Sequence, residues 1–215
     1  MNNNSRKIDT RFIARTAIFA AISIILYCVP FLKFAVPFFP SFLEIHFDEI
    51  PALISGFAYG PLSGFFVILI KTVAKLPLTN TACVGELADF IYSCAFIIPA
   101  SFAYKKMHSF KGAIFSILIG IGIQVVVACF VTTYLMLDFY SFMYGMPKEA
   151  ILGMCQAINP NISNLGMPFL LMVALPFNLF KDAIVGVITI LVYKKLHTLI
   201  DRIGGRNNNS EQEKN

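Results

Sequence analysis

The sequence predicts an all-α membrane protein: six transmembrane helices in one bundle, with an external aromatic capping loop. Three observations carry that expectation. Of 215 residues, 57% are hydrophobic and 13% charged, where a soluble domain has about a quarter charged; the mean hydropathy is +0.73. Apolar runs of about 18–20 residues, enough to cross hydrocarbon, recur along the chain. No polar stretch is long enough to bury a core of its own, so a single transmembrane domain over 12–200 is expected. It lies between a cytoplasmic tail over 1–11 and a disordered cytoplasmic tail over 201–215.

The elements follow in order. Residues 12–29 form a first helix ended by Pro30, too long and too poor in small residues at its end to be a cleaved signal peptide. Residues 31–47 carry Pro37, Pro40 and several phenylalanines, which rules out a regular helix and predicts the capping loop. Glu49-Ile50-Pro51 opens a second helix, with acid at the positive end of the dipole and proline in the first turn. It closes at Gly60. Pro61 starts a third helix to about Leu76, and both are short for a full span. A polar loop over 77–84 leads to a fourth helix over 85–105 and a fifth over 111–137. A long loop over 138–164 precedes the sixth, 166–196, kinked at Pro176.

Charge sets the expected orientation. With the N-terminus inside, twelve of the seventeen lysines and arginines fall in cytoplasmic segments, Lys33, Lys75 and Lys148 fall outside, and Lys71 and Lys181 fall within the membrane. That is the positive-inside pattern with both termini cytoplasmic. The net charge of +5 therefore reads as helix-end anchors on a cytoplasmic face rather than a nucleic-acid surface. The chain has no P-loop and no nucleophile motif. Cys28, Cys83, Cys94, Cys129 and Cys155 show no CxxC spacing, so neither a metal nor a disulfide framework is expected.

The chemistry concentrates at Pro176-Phe177-Asn178-Leu179-Phe180-Lys181-Asp182. A charge at the centre of a span costs about 2.5–3.5 kcal/mol on insertion scales, so these groups must face protein, water or a ligand. Asn178 and Lys181 are three apart and share a helix face. An amide suits the donor–acceptor edge of a heterocycle, and an ammonium donates to carbonyl or hydroxyl oxygens. The alternative is a structural lysine paired with Asp182 or with an acid of the fourth helix. Phe38 to Leu43, including Phe39, Pro40 and Phe42, supplies aromatics that could stack on a flat ring; an interfacial aromatic belt explains them equally. Glu86 and Asp89 open the fourth helix, as capping acids or as partners of Lys71 and Lys75, with Glu86 a ligand candidate. Glu44, His46 and Asp48 alternate like metal ligands, but ordinary loop polarity is the better reading. Ala17 and Ala21, four apart on the first helix, permit close approach of another helix.

The runs FPSFLEIHFDEIPALISGFAYGPLSGFFVILIK, VGELADF and PFNLFKDAIVG resemble the riboflavin-specific S components of energy-coupling-factor (ECF) vitamin transporters, over most of the chain. The resemblance implies a six-helix fold binding riboflavin and no cofactor; were a phosphate tolerated, as in FMN, Lys71, Lys75 and Lys181 would be candidates to meet it. It implies energising partners: a transmembrane coupling subunit and two cytoplasmic ATPase subunits. Asn178 and Lys181 would contact the flavin, the loop from Phe39 to Leu43 would cover it, and Ala17 and Ala21 match the family's AxxxA docking motif. The family often places an asparagine late in the fifth helix; here Thr132-Thr133-Tyr134 stands there, with Thr133 as substitute. The rivals are an S component for pantothenate or a pteridine, an intramembrane enzyme using Glu86 and Asp89, and an ion-coupled carrier.

Overall fold

The computed structural model describes residues 10–40, 43–79, 83–145 and 147–212. Its elements are helices apart from one two-stranded antiparallel hairpin, β1 (Phe34–Ala35) with β2 (Glu44–Ile45), in which Phe34 faces Ile45. The helices are α1 (Thr10–Cys28), α2 (Glu49–Tyr59), α3 (Pro61–Lys75), α4 (Val84–Met107) and α5 (Phe110–Val131). A π-helical turn, Thr132–Met136, carries α5 into α6 (Leu137–Tyr144). Then come α7 (Lys148–Gln156), the single turn α8 (Met167–Phe169), a second π-helical turn (Leu170–Ala174) and α9 (Leu175–Gln212).

Among the described residues, five helical stretches are long and apolar enough to cross a membrane: 10–28, 61–78, 84–107, 110–139 and 167–195. The expected second helix is different. At 11 residues, α2 is about 17 Å long, roughly half the hydrocarbon thickness. Every residue from Glu49 to Phe57 is buried, so α2 is a short plug inside the bundle. Its turn into α3 uses Gly60 at φ 96°, followed by Pro61. Only glycine adopts that backbone freely, and proline then presets the first turn of α3. A Cβ at Gly56 would lie 2.1 Å from Ser101 Oγ, so glycine is what lets α2 lie against α4.

Polar side chains inside the bundle are tied to one another. Thr16, Ser63 and Ser55 form a hydroxyl chain with two 2.7 Å bonds that joins α1, α3 and α2. Ser116 and Thr189 donate to carbonyls one turn back in their own helices, the usual solution where no water is present. Ile18, Leu118, Val126, Leu171 and Leu191 point outward, as a lipid-facing surface requires. At the end bearing Lys105, Lys106, Lys194 and Lys195, Tyr104 and Tyr193 join hydroxyls at 2.5 Å and Phe57 stacks on Tyr104 at 4.4 Å.

Two local expectations are corrected. The loop expected over 138–164 contains α6 and α7, held by Ile151 and Cys155 in the core. The disturbance at Pro176 takes the form of the π turn just ahead of it. Proline removes an amide and crowds the carbonyl one turn back, and a wider turn relieves both. The element α9 itself is drawn to Gln212.

Candidate functional site

A cavity of about 190 Å³ opens near the hairpin end. Its walls come from α1, the hairpin, α3, α4, the first π turn, α6 and α9. Asn178 and Lys181 both line it, as do Leu43 and Glu86. The shared face expected of residues three apart is what α9 presents here. Asn178 Nδ2 donates to Ala174 O at 2.8 Å. Phe177, Leu137 and Met136 supply apolar wall.

The other candidates fall around this cavity. Phe39 is not in its lining but leans on Phe177, edge to face, with ring centroids 5.2 Å apart. Buried Pro40 lines a separate, shallow groove shared with Met154 of α7 and Ile158 just beyond it. Phe42 lies outside the described residues. Thr133 is buried, its hydroxyl without a hydrogen-bond partner among the described residues. Its neighbour Thr132 lines the cavity and bonds the Tyr92 hydroxyl at 2.9 Å. Neither Thr132 nor Tyr92 was marked as a ligand contact by the sequence; the π turn re-aims side chains by a fraction of a turn that residue spacing does not reveal.

Beneath the cavity runs a buried charge network. Lys71, fully buried, donates to Asp48, to Asp89 at 2.9 Å and to Ser93 Oγ at 3.0 Å. Ser93 Oγ in turn donates to Glu49 Oε1 at 3.0 Å. Lys181 Nζ lies 3.4 Å from both oxygens of Glu49 and 3.8 Å from Asp182 Oδ1. Its main counter-ion is thus on α2, not on α4. Lys71 and Lys75 also sit over the Tyr27 ring, at 4.9 and 5.6 Å. Among the described residues Lys75 makes no ion pair, and it lines the cavity.

The mouth is held by Glu44, which is 3.5 Å from Lys33 and 3.4 Å from His46. The hydrogen bond from His46, with the charge of Lys33, holds the Glu44 carboxyl down at about 2. His46 lies against Tyr27 and 4.0 Å from Asp48. Glu44 and Asp48 therefore pair with Lys33 and Lys71, and His46 sits between the two acids; among the described residues no group of three or more His, Cys, Asp or Glu can hold a metal. Glu86 accepts from Thr79 at 2.7 Å. Between them, exposed Cys83 adopts a left-handed conformation (φ 69°), its amide bonded to Thr79 Oγ1. On α1, Thr16, Ala20, Ser23 and Tyr27 face inward, while Ala17 and Ala21 are exposed beside Ile18 and Ile22.

Residues 11–193 match the family model described as "ECF transporter, substrate-specific component". The chain belongs to that family. As an S component it is a transport subunit and not an enzyme, so the acid–base reading of Glu86 and Asp89 falls away. This S component is 25% identical over 201 residues to the riboflavin transporter RibU of Staphylococcus aureus, covering 94% of this chain and 100% of that one. It is 28% identical over 193 residues to the riboflavin transporter FmnP of Bacillus subtilis, covering 88% and 95%. In fold it is similar to the solved S component of a bacterial ECF transporter, with a TM-score of 0.68 at 24% identity, over 88% of this chain and 97% of that one. A place in the cell membrane follows from the family and the apolar helices.

Proposed function

We propose that this S component binds riboflavin in the cavity from the outer face of the membrane. It passes the vitamin inward when docked on a transmembrane coupling subunit driven by two ATPase subunits. The observation that carries the reading is the convergence of Asn178 and Lys181 on one cavity with an apolar wall and the Tyr92–Thr132 hydroxyl pair. A flavin has matching parts: a flat, partly apolar tricycle, a polar edge for the amide, and a hydroxylated tail for the ammonium and hydroxyls. The relatives named riboflavin transporters support the same vitamin. Ligand pockets usually span about 300–1,000 Å³, so seating the ring displaces side chains at the mouth. Phe39, resting on Phe177, is placed to yield and then cover it. For FMN, Lys75 at the cavity wall, over the Tyr27 ring and without an ion pair among the described residues, is the cation placed to meet the phosphate.

The test is direct. Protein purified from flavin-supplied cells is expected to be yellow with a flavin spectrum. Colourless protein, unshifted in melting temperature by riboflavin but stabilised by pantothenate or a pteridine, reassigns the vitamin.

Ala17 and Ala21 carry the partner reading: an outward row of small side chains admits a second helix backbone. Replacing both with leucine is expected to abolish uptake in cells while riboflavin still binds the purified subunit. Uptake at the wild-type rate would assign that face to lipid. The lysine-rich end bearing the Tyr104–Tyr193 pair is the cytoplasmic one in this reading.

A further inference from the structure

We propose that Glu49 is a positioning residue for the ligand, setting the Lys181 ammonium at the cavity wall; this rests on the riboflavin reading. An acid in the first turn of a helix is usually explained by the helix dipole. Glu49 is 1% exposed, and a dipole interaction alone does not require burial. Its side chain bridges two other helices. Oε1 is gripped by Ser93 of α4 at 3.0 Å, and both oxygens face Lys181 of α9 at 3.4 Å.

Lysine is a point charge on a flexible four-carbon stem, so its head needs an anchor to stay in one place. Glu49 and Asp182 hold it from the protein side, and Lys181 lines the cavity on the other. Charge-assisted bonds close to about 2.7–2.9 Å. At 3.4 and 3.8 Å these carboxylates steer the ammonium through one long hydrogen bond, to Glu49 Oε1, and leave its other protons uncommitted. Those protons remain available to a carbonyl or hydroxyl oxygen of the ligand. Glu49 itself is not in the cavity lining, so it acts only through Lys181.

The experiment is a double-mutant cycle read as the riboflavin dissociation constant of the purified subunit. Glu49→Gln keeps the side-chain shape and removes the charge; it is expected to weaken binding about tenfold in the wild-type background. With Lys181→Met already present, the same change is expected to cost no more than about twofold. A purely structural role would give equal losses in both backgrounds, and that result overturns the proposal, as does unchanged affinity in Glu49→Gln. Should Glu49→Gln fail to fold, Ser93→Ala loosens the grip on Glu49 and takes its place in the cycle, with a smaller loss that again vanishes beside Lys181→Met; wild-type affinity there overturns the proposal. Absence of flavin binding by the wild-type subunit removes the riboflavin reading and this inference together, whereas a tight-binding wild type with an additive cycle removes the inference alone.

Discussion

Replacing Lys71 with methionine is expected to cost about 3–5 kcal/mol of stability, the usual loss when one partner of a buried ion pair is removed. Lys71 is wholly buried and serves Asp48, Asp89 and Ser93 at once. Without it the carboxylates of Asp48 and Asp89 remain inside the bundle with no lysine beside them. Methionine keeps most of the volume, so the loss isolates charge from packing. Unfolding followed in detergent would show the midpoint drop. Adding Asp48→Asn and Asp89→Asn to Lys71→Met should recover much of the loss, because the stranded charges go with it. A Lys71→Met subunit that unfolds at the wild-type midpoint would mean the network contributes nothing to stability.

The second large effect is on binding. Asn178→Ala and Lys181→Ala are each expected to weaken riboflavin binding by at least about tenfold, as loss of a buried polar partner does. The two differ in what else they disturb. Among the described residues the Asn178 side chain makes one bond, to Ala174 O in its own helix, so its removal should cost stability only about 1 kcal/mol. Lys181→Ala also strands Glu49 and Asp182, so affinity and stability should fall together. Calorimetric titration beside an unfolding curve separates the cases. Wild-type affinity in both variants would take these residues out of the site.

The bundle and its chief polar pair were legible because they depend on short-range rules. Apolar runs of spanning length gave the helices, Pro30 and Gly60-Pro61 gave their ends, and a spacing of three put Asn178 and Lys181 on one face. Ala17 and Ala21 stand outward for the same reason of period. Long-range pairing was harder to read. Lys71 and Asp89 were candidates for a shared network because both lie in or beside spans. By contrast, Glu49 and Asp48 at the head of α2 look like ordinary dipole partners, and no local pattern says that α2 folds inward to meet residues 132 positions away. Nor does spacing reveal a π turn, which is why Thr132 rather than Thr133 reaches the cavity. The helix α7 was hidden by its low apolar content and by the Pro and Asn residues around it.

The left-handed turn at the head of α4 has a practical consequence. Of the five cysteines, Cys83 alone is exposed, while Cys28 and Cys94 are half-buried and Cys129 and Cys155 are buried. Burial also pushes the Cys155 thiol up to about 11, which keeps it protonated and sluggish toward electrophiles near neutral pH. A maleimide dye should therefore tag the unaltered chain at one position, two residues from Gly85 in the cavity rim. Because flavins absorb blue light, a blue-emitting dye at that position is expected to dim if riboflavin loads, giving a clock for loading without a single engineered residue.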